Sequence, residues 1–251
     1  MTGSTDLTGN IAIVVGPGGA TESAIVEALV GVGAQVVFAA TELDANPVGA
    51  DVRHVPADAA ANPERLIAEA ERIGGRLAVL VQHRPTTRRG PAVALEAVDW
   101  AADLESITQA VLLASAFAAA CEPNAAVVTI ASLDLAAAYP ERSTASVVSN
   151  GLVGATRALA VEWAGKPVRV NAVATGPVLT PADEAAIAAG ERSLDRVLLR
   201  APSHRIGTPA ETASLVRFLV DGRSEFITGQ VIWVDGGWAS LTQHAEGLRF
   251  P

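Results

Sequence analysis

The sequence predicts an α/β fold: one domain, residues 1–251, with a doubly wound parallel sheet and helices on both faces. Short runs rich in Val and Ile alternate along the chain with longer segments whose apolar residues recur every three or four positions. Half of the 251 residues are apolar and only 18% are charged, enough for one sizeable core and too little charge for a disordered chain. No repeat, linker or composition break divides the sequence.

The strands read in order as Ile11–Val15, Gln35–Ala39, Leu77–Val81, Ala126–Ala131, Arg169–Ala174 and Val231–Val234. Each is short, apolar and bounded by Gly, Pro or polar turns, as expected of strands buried on both faces. Between the first two, Ile25, Leu29 and Val32 are spaced for a helix. A later helix carries Leu104, Ile107, Val111 and Leu112, and another Val148, Leu152, Leu159 and Trp163.

Composition excludes several classes of function. The longest clean apolar run, Ala110 to Cys121, falls short of the roughly 20 residues that cross a bilayer. Met1 to Asn10 carries neither a basic start nor an apolar segment, so no secretory signal is expected. A lone cysteine, Cys121, forms no internal disulfide and agrees with a cytoplasmic location. A net charge of −9 argues against nucleic acid as a partner. The local exception is His83-Arg84-Pro85-Thr86-Thr87-Arg88-Arg89, which reads as a solvated loop, with a docking point for an anionic ligand as the alternative. His54, His83, His204 and His244 are scattered, and no metal site is expected.

The first strand runs into Val15-Gly16-Pro17-Gly18-Gly19-Ala20-Thr21-Glu22, a glycine-rich turn of the kind that opens dinucleotide-binding helices. Further on come Val168-Arg169-Val170-Asn171-Ala172-Val173, Gly176, Thr180-Pro181 and Arg205-Ile206-Gly207-Thr208-Pro209 with Glu211. Thr228-Gly229-Gln230 and Val234-Asp235-Gly236-Gly237 follow. In this order and spacing the chain resembles the short-chain dehydrogenase/reductase family over nearly its whole length. The resemblance implies a Rossmann-type sheet and a dimer or tetramer, assembled through the segments Leu104 to Ala120 and Val147 to Trp163.

Active members of that family, as the resemblance implies, use a Tyr as proton donor, a Lys four residues later that lowers its pKa, a Ser that binds the substrate oxygen and an Asn that completes a relay. Matched to this sequence, the Ser position is Ser132, the Tyr position Ala145, the Lys position Ser149 and the Asn position Ile107. Ser132 alone is retained, and the chain reads as a divergent member without the Tyr-x-x-x-Lys pair. Its one tyrosine, Tyr139, and one lysine, Lys166, are too far apart to replace that pair on one helical face.

The cofactor positions that the resemblance implies are Gly16, Asp58 and Thr180. The other two glycine positions read Ala20 and Glu22, and the ribose-selecting positions Ala40 and Thr41 carry neither an acid nor an arginine. Glu22 places a carboxylate where a helix N-terminus would face a pyrophosphate. From these departures no cofactor is expected, with NAD or NADP as the alternative. The function expected is that of a non-catalytic subunit or scaffold, in a homo-oligomer or beside an intact relative. The alternatives are an NAD(P)-dependent oxidoreductase of ketone or 3-oxoacyl type with unorthodox residues, and a retooled enzyme with non-redox chemistry using Ser132, His83 or Asp134.

Overall fold

The computed structural model describes residues 6–41, 49–56, 59, 61–136, 139–166, 168–190 and 193–241. Seven strands form one sheet: β1 (Asn10–Gly16), β2 (Gln35–Ala40), β3 (Val52–Pro56), β4 (Arg76–His83), β5 (Ala125–Ser132), β6 (Val168–Thr175) and β7 (Val231–Val234). Their order is β3-β2-β1-β4-β5-β6-β7, and every pairing is parallel. The six expected strands are all present, and the expected doubly wound α/β fold is the one found. Val52–Pro56 is the strand that periodicity missed. It lies at the sheet edge, where Arg53 and His54 interrupt the apolar run and stay partly exposed.

The helices that cover the sheet are α1 (Ala20–Val30), α2 (Pro63–Glu71), α3 (Ala97–Ala120), α4 (Ser143–Glu162) and α7 (Pro209–Val220), with the shorter α5 (Pro181–Ala188) and α6 (Asp195–Arg200) near its C-terminal edge. Period-two alternation in β1 divides the core between two faces. Ile11, Ile13 and Val15 join Leu66, Leu113 and Phe117 under α2, α3 and α4. Ala12 and Val14 join Ile25, Leu29, Val216 and Leu219 under α1 and α7. Helix α1 stops at Val30, so Val32 packs from beyond its end.

The motifs that carried the family resemblance lock the C-terminal strands. The amide of Asn171 donates to the Ile227 carbonyl at 2.8 Å, and its oxygen accepts from the Gln230 N–H at 3.1 Å. Arg169 donates to the carbonyls of Leu219 (2.6 Å) and Asp221 (3.3 Å). A Cβ on Gly176 would lie 2.7 Å from the Asp235 Cα, so this position has no room for a side chain.

At the start of α7, Glu211 closes a capping box with Thr208 and accepts from Arg205 at 2.9 and 2.5 Å. Hydrogen bonds from Arg205 and from the Thr208 backbone pull its pKa down to about 2. A depressed carboxylate stabilises the fold above its unfolded pKa, and that contribution is lost as pH falls through the folded one. Glu211→Gln should therefore lower Tm slightly above pH 4.5, with the difference from the parent chain fading as pH falls towards about 2. The effect is small because the pair is solvent-screened, with side chains 60% and 37% exposed. Thermal melts across that range check it.

Candidate functional site

In an open parallel sheet, ligands bind outside the C-terminal ends of the strands where the order reverses. Here that point lies between β1 and β4, with β5 beside it. The register brings Gly16 at the end of β1, His83 at the end of β4 and Ser132 at the end of β5 to one edge. A small pocket opens there, lined by His83, Arg84, Thr86, Ser132, Arg142 and Ser149 over Ile130 and Leu152. A larger cavity, about 550 Å3, lies at the opposite edge beside Arg76, Lys166 and Arg169 and contains none of the expected site residues.

Ser132 is built into the pocket by the turn that follows it. Its hydroxyl accepts from the Asp134 N–H at 3.0 Å, capping the short 3-10 turn Leu133–Leu135, and donates to the Asp134 carboxylate. That carboxylate is 4% exposed and accepts two further hydrogen bonds from Arg142, at 3.1 and 2.5 Å. Burial pushes the Asp134 carboxyl up, but the hydrogen bonds from Arg142 and Ser132 outweigh it and hold the group below its ordinary value. The same hydrogen bonds with Asp134 raise the Arg142 guanidinium. The hydroxyl of Ser132 and the guanidinium of Arg142 thus face one pocket, with Asp134 fixing both.

Sequence reasoning found Ser132 and missed the Asp134–Arg142 brace, whose members stand eight residues apart across a turn. Tyr139 stands before α4, outside the helix that carries Ala145 and Ser149. Ala145 and Ser149, at the Tyr and Lys positions, are buried on α4. Ile107, at the Asn position, packs with Ala110, Val148 and Leu152 in the α3–α4 seam, close over Gly151.

The β1–α1 turn carries a feature that spacing did not disclose. Glu22, in the first turn of α1, is 2% exposed and pairs with Nδ1 of His83. Its side chain fills the space in front of Gly16, where a Cβ would meet Glu22 Cγ at 2.7 Å, and its other oxygen lies 3.5 Å from a Cβ placed on Gly19. His83 is therefore no solvated loop histidine; it ends β4, and its side chain is 21% exposed. Thr180 caps α5: its hydroxyl donates to the Asp183 carboxylate at 2.8 Å and accepts the Asp183 N–H at 3.2 Å. Asp58 lies outside the described residues. No group of three or more His, Cys, Asp or Glu side chains that could hold a metal occurs among the described residues. Among them, too, no helix is long and apolar enough to cross a membrane.

Comparison with known proteins gives a family match and full-length structural likenesses. A family model described as enoyl-(acyl carrier protein) reductase matches residues 23–239. The 3-oxoacyl-[acyl-carrier-protein] reductase of Thermotoga maritima is 32% identical over 65% of this chain and 66% of its own. Another curated relative is matched over only 29% of its length. A structure described as an NAD(P)-dependent gluconate 5-dehydrogenase of Beutenbergia cavernae, with NADP bound at low occupancy, is 31% identical. It superposes with a TM-score of 0.82 over 95% of this chain and 100% of its own. A short-chain oxidoreductase of Pseudomonas aeruginosa, described as containing an atypical catalytic center, is 25% identical, with a TM-score of 0.81 over 92% and 98% of the two chains.

These likenesses overturn two expectations. A chain that serves as a non-catalytic subunit or scaffold is not what the relatives are named as; they are named as reductases and dehydrogenases. The expectation of a chain without cofactor is likewise contradicted by the structure described as an NAD(P)-dependent gluconate 5-dehydrogenase, which has NADP bound at low occupancy. Departures at Glu22, Ala145 and Ser149 do not by themselves remove a function from a fold that still assembles a pocket around Ser132.

Proposed function

This chain belongs to the short-chain dehydrogenase/reductase family, and we propose that it is an NAD(P)-dependent oxidoreductase interconverting a carbonyl and an alcohol on a small molecule. The observation that carries the reading is the Ser132–Asp134–Arg142 brace, which turns a hydroxyl and a guanidinium into one pocket at the switch point of the sheet. Both groups can stabilise an oxygen that gains negative charge as a carbonyl is reduced, once the Ser132 O–H turns from the Asp134 carboxylate to that oxygen. Ser132 is the residue proposed to touch that oxygen. Arg142 supplies positive charge behind it, and Asp134 positions both.

When bound, NADH or NADPH would supply the hydride and NAD or NADP would take it in reverse; with Ala145 at the Tyr position, the proton that completes the alcohol would come from water. The residues proposed to meet it are Gly16, Asp58 and Thr180. Backbone at the glycine-rich turn and the α1 N-terminus suits a dinucleotide phosphate. The Glu22 side chain, as placed against Gly16, does not, and has to move aside for one to bind. The proposed assembly is a homo-oligomer through α3 and α4, where Leu104, Leu112, Val147 and Val161 are exposed apolar residues.

Titration of the purified chain with NADH and NADPH, followed by absorbance assays on ketones and 3-oxoacyl thioesters, tests the proposal. Saturable binding of one dinucleotide and its oxidation by at least one carbonyl compound are expected. Binding of neither would overturn the reading.

A further inference from the structure

The cavity of about 550 Å3 has no part in the site around Ser132. It opens where the strands begin, at the edge of the sheet opposite Gly16, His83 and Ser132. Its volume falls in the range of small-molecule sites. Arg76 starts β4 and Lys166 stands just before β6, and these are the strands on either side of β5. About 10 Å of sheet therefore separates the two residues. Arg76 reaches into that gap, donating to the carbonyl of Pro123 ahead of β5 at 3.3 Å.

The acidic residues that line the cavity are engaged elsewhere. Asp221 is 2% exposed, and its carboxylate accepts from the N–H, Nε and Nη2 of Arg223 at 2.8, 2.9 and 2.6 Å. Asp6 accepts from the N–H and the hydroxyl of Thr8 at 2.9 and 2.5 Å. Glu225 lies within electrostatic reach of Arg169, whose guanidinium is spent on the carbonyls of Leu219 and Asp221. Arg76 and Lys166 are exposed, and among the described residues neither is ion-paired to a carboxylate. Burial holds the Cys121 thiol above its ordinary value against the nearby charge of Lys166, so no thiolate is there to meet that charge either. A chain with 27 acidic and 18 basic residues thus brings its single lysine and an arginine to one cavity with no anion between them.

We propose that this cavity is a second ligand site, separate from the dinucleotide crevice, and that it takes a small organic anion. A carboxylate or phosphate group meets Arg76 and Lys166, and the carbon frame lies over the apolar residues Ala160, Ala164 and Val168 that line the same cavity. The two cations suit one anionic group in different ways, Arg76 as a planar fork and Lys166 as a compact point charge. The proposal goes beyond the oxidoreductase reading and does not depend on it, since none of these residues lines the pocket around Ser132.

Calorimetry on the intact chain with succinate and with inorganic phosphate tests it, with succinamide as the neutral counterpart of succinate. Saturable binding of at least one anion is expected, and weaker binding of succinamide by about fivefold or more. Arg76→Gln and Lys166→Gln should each weaken the preferred anion about threefold, the size of one exposed ion pair, and the double variant about tenfold. Both side chains are exposed, so the variants should fold, and melting curves check that they do. Titration of the same variants with NADH and NADPH should match the parent chain, which separates this cavity from an anion taken up at the glycine-rich turn. Succinate binding without phosphate would assign a carboxylate ligand, and phosphate binding without succinate a phosphate ester. Three results would overturn the proposal: neither anion binding saturably, succinamide binding as tightly as the preferred anion, or a folded double variant within twofold of the parent's affinity.

Discussion

Ser132→Ala is expected to lower kcat/KM for carbonyl reduction by about 100-fold or more, the usual cost of losing one donor to a developing oxyanion. Dinucleotide affinity should change little, because Ser132 lies at the end of β5 and Gly16 at the end of β1, two strands away. The substitution also removes the acceptor for the Asp134 N–H, a capping contact of the kind worth about 1 kcal/mol. Some loss of Tm is therefore expected, and it must be separated from the loss of rate. Ser132→Thr keeps the hydroxyl and serves as the control. Retention of kcat/KM within threefold in a folded Ser132→Ala chain would remove Ser132 from the chemistry.

The brace around Ser132 shows where reading the sequence stops. The fold was legible because parallel strands buried on both faces leave continuous apolar runs, and six of these stand out. The seventh did not, because a short edge strand tolerates the polar Arg53 and His54 within its run. The family motifs were legible for a related reason: Asn171, Arg169, Gly176 and Glu211 each meet a structural demand of this fold. None of them reports on chemistry. Ser132 could be placed by alignment, but not the Asp134 carboxylate and Arg142 guanidinium that orient it. Their pairing depends on a turn whose path no periodicity encodes. Glu22 and His83 are 61 positions apart and meet only because β1 and β4 are neighbours in the sheet. A crossover order of this kind decides which side chains share a pocket, and it is written in no local spacing.

Glu22→Gly should tighten NADH or NADPH binding by about 10- to 100-fold. A carboxylate about 5 Å from a phosphate oxygen, at an effective dielectric near 20, costs roughly 3 kcal/mol, which corresponds to about a hundredfold in affinity. Nδ1 of His83 holds that carboxylate in place. Space acts in the same direction, since the Glu22 side chain lies where it would touch a Cβ on Gly16. Glu22→Gln separates the two causes, because it keeps the volume and removes the charge. If charge dominates, both variants bind more tightly and the parent chain alone gains affinity as salt screens the repulsion. If volume dominates, Glu22→Gly gains and Glu22→Gln does not. The substitution has a structural cost as well: glycine in the first turn of α1 and an imidazole left without its carboxylate should both lower Tm. Affinity is read by titration at a temperature where all three chains are folded. A dissociation constant unchanged within threefold in both variants would mean that Glu22 does not stand in the path of the dinucleotide, and the crevice would then have to admit it by another route.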